Sequence, residues 1–211
     1  MVRERWGLSC PKHKVEINGE MLISRTVRLL KENGITDIWI TSHDASYEIP
    51  GIKRYEPIDN QFKIDQFWAC IPIWEGQQKV IFLFGDVYFS EVAMKTICSH
   101  TVDGYAYFQR TKASKITGKR WKEGFAFVVE NIDKFKKACE FLHNDAKNEL
   151  PEMHHNISAY LEGKPIADYL THWREIGPHG VEIDDETDDF DNSRDLINWR
   201  KYTKIDNKAL L

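Results

Sequence analysis

An aspartate follows directly on a strongly apolar segment of the chain. In Lys79–Asp86, five consecutive apolar residues lie between a lysine and a glycine, and Asp86 follows Gly85. This pattern is typical of a central parallel strand that is covered on both faces. Ligands of open α/β sheets bind beyond the carboxyl ends of the strands, and carboxylate oxygens are ligands of Mg²⁺ and Mn²⁺. Asp86 is therefore a candidate metal ligand, and a carboxylate that only caps a turn is the alternative.

A basic loop lies near the start of the chain. It contains Arg5 and, after Pro11, Lys12. Arginine and lysine can stabilise negative charge that develops on a reacting group without changing their own protonation. A solvated basic loop without a chemical role is the alternative interpretation.

A dense run of acidic residues spans positions 182–195 and includes Asp191. Neighbouring carboxylates repel one another, so such a concentration of negative charge favours a nearby cation. Most charge runs, however, are solvated faces of a protein, and this remains the alternative.

Helices and strands that alternate along the sequence would position these residues. Apolar residues at helical spacing and the stop signal at Asn33–Gly34 predict a helix over 20–33, followed by a short buried strand over 37–42. The alternation predicts an α/β fold with a mostly parallel sheet. The other predicted strands are 79–86, 104–110, 124–130 and 180–184. The other predicted helices are 60–70, 90–98, 131–144 and 192–202. Two further short helices are predicted, one before Gly163 and one after Pro165.

Composition limits the class of protein. The 211 residues can form one domain with a sizeable core, and the absence of repeats and linkers predicts a single domain over 1–211. A net charge of −4 gives no electrostatic footprint for nucleic acid. We expect a cytoplasmic protein with four reduced cysteines, because no apolar run could span a membrane and no leader opens the chain.

In their order along the chain, these motifs resemble the superfamily of sugar-phosphate nucleotidyltransferases and GT-A glycosyltransferases. That family carries a glycine-rich loop ending in Arg, then Pro-Lys, an Asn-Gly or Asp-Gly turn and a helix. The residues that match this part of the pattern are Arg5, Pro11, Lys12, Asn18 and Gly19. The chain begins inside the pattern, so we expect the family's first strand and most of its glycine-rich loop to be missing.

Two later motifs continue the resemblance. Gly85 and Asp86 match the setting in which the family holds a metal-binding aspartate. The family often ends in Asp-x-Asp-Thr-Pro-Glu-Asp-Leu, from which this chain departs at Asn192, Ser193 and Arg194. The matching residues of that motif are Asp189, Asp191, Asp195 and Leu196.

The resemblance implies a Rossmann-like three-layer sandwich and a specific site. Arg5 and Lys12 would be catalytic, and with Gly85 and Asp86 they would also bind the nucleotide. Asp86 and Asp191 would hold Mg²⁺ or Mn²⁺. Trp121 and Glu123 are further candidates for contacts to the acceptor, although core packing and a hairpin also explain the aromatic residues of that segment.

Three functions agree with this interpretation. The first is a metal-dependent nucleotidyltransferase that joins a nucleoside triphosphate to a small phosphorylated acceptor, such as a sugar phosphate, and releases pyrophosphate. The second is a glycosyltransferase of the same fold that uses a nucleotide sugar. The third is a non-catalytic, degenerate nucleotide-binding module or partner subunit, which the missing first strand favours. The sequence leaves the oligomeric state open.

Overall fold

A computed structural model provides the fold of the protein. It describes residues 10–57, 65–120, 122–145, 153–165 and 177–209. Within these ranges, no helix is both long and apolar enough to cross a membrane. None of the four cysteines forms a disulfide bond, and Cys70 and Cys139 are buried.

Most strands in the described part of the chain are short, and two longer ones lie at the centre. In chain order, they are β1 (Glu16–Ile17), β2 (Glu20–Met21), β3 (Trp39–Thr41), β4 (Lys53–Tyr55), β5 (Val80–Leu83), β6 (Val87–Tyr88), β7 (Tyr105–Arg110), β8 (Glu123–Val129), β9 (Gly180–Glu182) and β10 (Asp188–Asp189).

The α-helices vary from one turn to more than four turns in length. They are α1 (Leu22–Glu32), α2 (Asp65–Trp68), α3 (Ile71–Trp74), α4 (Glu91–Ser99), α5 (Ile132–Asp145), α6 (Met153–Glu162) and α7 (Ser193–Ala209).

The main sheet has the strand order β5-β8-β7-β9. Strand β8 is antiparallel to both β5 and β7, and β9 is parallel to β7. Three of the four strands therefore run in the same direction, as predicted, and β8 runs in the opposite direction. No helix occurs in the described residues that connect β7 to β8, and a connection without a crossover helix is typical of antiparallel neighbours.

The described residues also form three smaller pairs of strands. Strands β3 and β4 are parallel, β6 and β10 are antiparallel, and β1 and β2 form a hairpin. The hairpin turn consists of Asn18 and Gly19, which have φ angles of 52° and 81°. An Asn-Gly pair favours this geometry because both residues tolerate a positive φ. The turn predicted from the sequence is thus confirmed.

Of the three core clusters among the described residues, two lie on opposite faces of the main sheet, and the third, which includes Phe190 and Trp199, lies around β6 and α7. Tyr107 and Phe127 belong to the cluster that includes residues of α2, α3, α5 and α6. Phe108 and Val128 belong to the cluster that includes residues of α1 and α4. Side chains alternate between the faces of a strand, so consecutive apolar residues of β7 and β8 serve both clusters. The predicted α/β three-layer sandwich is confirmed.

Some element boundaries differ from the prediction. The helix expected to end at Cys70 is followed by a second short helix, α3, because Pro72 is compatible only with a first turn and requires a new helix to begin at Ile71. Helix α7 continues beyond the predicted end at Tyr202 to Ala209, since no proline or glycine interrupts this part of the sequence. The helix predicted after Pro165 falls on residues 166–176, outside the described residues.

Candidate functional site

Asp86 follows the carboxyl end of β5, as predicted. Strand β5 is, however, an outer strand of the four-stranded sheet in the described residues and pairs antiparallel with β8, so the predicted central parallel position was wrong. The backbone amide of Phe84 donates to the carbonyl of Phe125 at 3.0 Å and continues the pairing of β5 with β8. Gly85 then leads into Asp86. A Cβ atom on Gly85 would lie 2.9 Å from Cδ2 of His13, so a larger residue before Asp86 would displace the His13 ring.

Backbone pairing brings Asp191 next to Asp86. Strand β10 pairs with β6, with Asp189 opposite Val87. The amide of Phe190 then donates to the carbonyl of Asp86 at 3.2 Å. Asp191 follows Phe190, which is fully buried. The two candidate metal ligands therefore lie on adjoining backbone segments, although the chain positions are far apart.

The start of α7 fixes the backbone around Asp191. The amides of Asp191 and Asn192 donate to Oδ2 of Asp195 at 2.9 and 3.2 Å. In return, Oδ1 of Asn192 accepts from the amides of Arg194 and Asp195. This reciprocal arrangement resembles a capping box and satisfies amides that a helix start would otherwise leave unpaired.

Lys12 lies between the two carboxylates. It begins a 3₁₀ turn, Lys12–Lys14, and its Nζ is 3.2 Å from Oδ2 of Asp86 and 3.6 Å from Oδ1 of Asp191. The Lys12 side chain is 10% exposed, whereas those of Asp86 and Asp191 are 35% and 37% exposed. The carboxylates can thus be reached from solvent while they share one ammonium group.

The structure brings together Lys12, Gly85, Asp86 and Asp191, which the sequence singled out. Arg5 and Trp121 lie outside the described residues. The chemical roles of all these residues stay predictions.

Lys119 is a member of this site that the sequence did not identify. Its side chain is 7% exposed, and Nζ lies 3.3 Å from Asp189, 2.9 Å from Asp191 and 3.1 Å from Asp195. The acidic run predicted a nearby cation, but it did not indicate that the cation would be the side chain of Lys119. A signal was present, since basic residues are frequent in the β7–β8 connection. They are Lys112, Lys115, Lys119, Arg120 and Lys122.

Asp188 has a structural role beside the site. Nη2 of Arg110 lies 3.1 Å from Oδ1 of Asp188, and both side chains are buried. The hydroxyls of Ser114 and Thr117 donate to Oδ2. Because a buried charge must be paired and hydrogen-bonded, these contacts anchor the segment that precedes Asp191 to the β7–β8 connection.

The carboxylates of the site differ in acidity. Burial opposes ionisation of Asp191, but the hydrogen bond and charge of Lys119, with the charge of Lys12, outweigh it and lower the pKa of Asp191. Burial raises the pKa of Asp189 to about 7, although Lys119 acts in the opposite direction. Burial, together with the charges of Asp189 and Asp191, raises the pKa of Glu123 to about 9. Asp191 is therefore the member of this group that is best suited to stay ionised.

The pair Asp86 and Asp191 fits a divalent cation. Oxygen atoms of both side chains already contact one positive charge, the Lys12 ammonium. Mg²⁺ is commonly held by one or two carboxylates, with water and substrate phosphates as its other ligands. No group of three or more potential ligands suited to a metal occurs among the described His, Cys, Asp and Glu residues, so phosphate and water oxygens would have to complete the coordination.

A cavity elsewhere in the molecule has a different character. Its volume is about 170 Å³, and Gly104, Tyr105, Asn131 and His179 contribute to its lining. It lies at the start of β7, whereas Arg110 at the end of β7 contacts the segment of Asp191. The charged groups described above are not part of this lining, so the cavity does not replace Asp86 and Asp191 as the candidate site.

Comparisons with known proteins agree with this fold. No protein-family model matches the sequence, and no curated protein sequence matches it. Among solved structures, the chain is similar to CTP:phosphocholine cytidylyltransferase (LicC) from Streptococcus pneumoniae, with a TM-score of 0.52 and 16% sequence identity over 97% of this chain and 94% of that chain. At this identity, the likeness establishes the fold and not the activity. The chain thus has a Rossmann-like α/β fold similar to that of this cytidylyltransferase, the fold that the sequence resemblance predicted.

Proposed function

We propose that the protein is a metal-dependent nucleotidyltransferase that joins a nucleoside triphosphate to a small phosphorylated acceptor and releases pyrophosphate. The observation that carries this proposal is the meeting of Asp86, Asp191 and Lys12 at the carboxyl end of β5. This is where open α/β sheets bind their ligands. The likeness to the fold of a cytidylyltransferase supports the same conclusion.

In the proposed reaction, a phosphate oxygen of the acceptor attacks the α-phosphorus of the triphosphate. A new phosphorus–oxygen bond forms, the bond between the α-phosphorus and the bridging oxygen breaks, and pyrophosphate leaves with the electron pair. Asp86 and Asp191 would hold Mg²⁺ or Mn²⁺, which when bound neutralises and aligns phosphate oxygens. Lys12, with Arg5, would stabilise negative charge on the reacting phosphates, because neither cation needs to change its protonation.

The substrate class follows from the site and from its structural relative. The relative is named for CTP and phosphocholine, so CTP and a phosphorylated alcohol are the first substrates to test here. Sugar phosphates and the other nucleoside triphosphates complete the panel. Nucleotide sugars belong in it as well, because a glycosyltransferase of this fold would use them.

Release of pyrophosphate tests the proposal directly. We expect Asp86→Asn and Asp191→Asn each to lower turnover by about a hundredfold or more, because each removes a cation ligand that contributes several kcal/mol to transition-state stabilisation. Asp184→Asn is the matched control, since Asp184 is exposed and pairs with Lys112 and Lys115 outside the site.

Other products would overturn the proposal. Release of a nucleoside diphosphate from a nucleotide sugar would identify a glycosyltransferase. Failure of the wild-type chain to turn over or bind any nucleotide with Mg²⁺, together with a stable protein partner, would identify a non-catalytic module.

A further inference from the structure

The two lysines of the site use different oxygens of Asp191. Lys119 lies 2.9 Å from Oδ2, and Lys12 lies 3.6 Å from Oδ1. Lys12 also donates to Oδ2 of Asp86 at 3.2 Å. The ammonium group of Lys12 therefore lies between the two oxygens that face each other across the candidate site, while Lys119 holds Asp191 from the other side.

We propose that Lys12 and the divalent metal ion occupy this place in turn, so that the metal ion and the nucleoside triphosphate bind cooperatively. In the ligand-free protein, the Lys12 ammonium pairs with Asp86 and Asp191 and opposes entry of the metal. When the nucleotide arrives, Lys12 moves to its phosphate oxygens and leaves both carboxylates to the metal. This inference rests on the proposed function, because it assumes that these carboxylates hold the metal.

Electrostatic repulsion favours the exchange. A metal ion bound to the same two oxygens would lie within a few ångströms of the ammonium nitrogen, and like charges at that separation in a partly buried site repel strongly. The flexible four-carbon stem of lysine lets its ammonium group move while the backbone stays in place. Phosphate oxygens would restore the charge-assisted hydrogen bond to Asp86 that Lys12 gives up.

Lys119 keeps the site intact during this exchange. It contacts Asp189, Asp191 and Asp195 and is 7% exposed, so it is more tightly enclosed by carboxylates than Lys12. Departure of Lys12 therefore leaves Asp191 with one buried counter-ion on Oδ2. Asp86 and Oδ1 of Asp191 are the groups that the departure makes accessible to the metal.

The test compares Mn²⁺ binding to wild-type protein and to Lys12→Met without nucleotide, by electron paramagnetic resonance of free Mn²⁺. We expect Lys12→Met to bind Mn²⁺ about tenfold more tightly, because the metal no longer has to break the charge-assisted hydrogen bond of Lys12 to Asp86 or its ion pair with Asp191. Lys14→Met is the matched control in the same turn, since Nζ of Lys14 donates to the carbonyl of Ser46. Lys12→Arg keeps the charge and is expected to keep the wild-type affinity.

A second measurement addresses cooperativity. CTP is the nucleotide probe, and the ratio of its Kd without Mn²⁺ to its Kd with Mn²⁺ measures the coupling between the two ligands. CTP must change the affinity for Mn²⁺ by the same factor. We expect this ratio to fall in Lys12→Met, while Kd for CTP rises. Thermal unfolding verifies that Lys12→Met is folded. If it is not folded, Lys12→Gln replaces it in both binding measurements.

The outcomes separate the two proposals. Unchanged or weaker Mn²⁺ binding by folded Lys12→Met or Lys12→Gln, in a protein whose turnover requires Mg²⁺, overturns the exchange but leaves the proposed function standing. Absence of Mn²⁺ binding from both wild-type protein and Lys12→Met, with or without CTP, overturns the metal site and the exchange with it.

Discussion

At the scale of single residues, the balance between two lysines and the surrounding carboxylates determines the chemistry of the site. Lys119 and Lys12 both lower the pKa of Asp191, whereas burial raises the pKa of Asp189 and Glu123. One carboxylate is thereby kept charged while its neighbours retain protons to a higher pH. Such separation of acidities is frequent at functional sites.

Glu123 makes the stability of the fold depend on pH. Its pKa rises from an ordinary 4.5 to about 9 on folding, so between these values the folded chain binds more protons than the unfolded chain. Stability contributed by protonated Glu123 is therefore present at low pH and lost as the pH rises, by up to about 1.4 kcal/mol per pH unit for one proton. We expect the free energy of unfolding, measured with urea between pH 5 and 9, to decline less steeply with rising pH in Glu123→Gln than in the wild type.

The control for this prediction is Glu48→Gln, whose side chain is exposed. The free energy of unfolding of this variant should depend on pH in the same way as that of the wild type. An equal decline in Glu123→Gln and wild-type protein would show that Glu123 ionises in the folded state as readily as in the unfolded state.

Sequence reasoning located some residues of the site and missed another for a physical reason. Asp86 was predictable because an apolar run followed by Gly-Asp indicates the carboxyl end of a strand. Asp191 was predictable because its motif resembles that of a known family. Lys119 was not predictable, because its contacts with Asp189 and Asp191 arise from tertiary pairing between distant segments. No local pattern distinguishes it from the other lysines of the same connection.

At the scale of elements, helix α4 illustrates how the segment after Asp86 is fixed. Ser90 is the N-cap, and its Oγ accepts from the amide of Ala93 at 2.9 Å. The same hydroxyl donates to Asp185 at 2.6 Å. One side chain therefore satisfies an amide at the helix start and connects β6–α4 to the acidic segment before β10.

Loss of this cap should destabilise the protein. We expect Ser90→Ala to lower the free energy of unfolding by about 1–2 kcal/mol, because an amide of the first turn loses its acceptor in a buried position. Denaturant unfolding measures the change. Ser99→Ala at the exposed end of the same helix should change it by less than about 0.5 kcal/mol, and equal losses in the two variants would contradict a role specific to the cap.

Elements with a strong local pattern were the predictable ones. Helix α1 has apolar residues at helical spacing and a stop at Asn33–Gly34, and β5 is an uninterrupted apolar run. The pairing of β6 with β10 could not be predicted, because both strands are two residues long and their partners are distant in the chain. Long-range pairing depends on the whole fold and not on local preference.

At the scale of the whole molecule, ligand binding should be visible as a change in stability. A ligand that binds only the folded state stabilises it by about 2.7 kcal/mol at a hundredfold excess over Kd. For a chain of this length, we expect the midpoint of thermal unfolding to rise by roughly 5 to 10 °C with the correct nucleoside triphosphate and Mg²⁺.

The variant Asp86→Ala should lose the part of this shift that requires the metal. Nucleotide sugars and Mn²⁺ belong in the same panel, because the ligand that gives the greatest shift distinguishes the proposed nucleotidyltransferase from a glycosyltransferase. A wild-type midpoint that no nucleotide changes would contradict nucleotide binding altogether.

The pairing of β6 with β10 also has a consequence for synthesis on the ribosome. Ser90 and Thr187 are hydrogen-bonded across 97 residues of chain, and Asp86 and Asp191 meet through the same two segments. Since a chain emerges from its N-terminus onward, Lys12 and Asp86 leave the ribosome long before Asp191. A nascent chain therefore lacks the second carboxylate until the 105 residues that follow Asp86 have also been translated, and a chain released before that point carries an incomplete site.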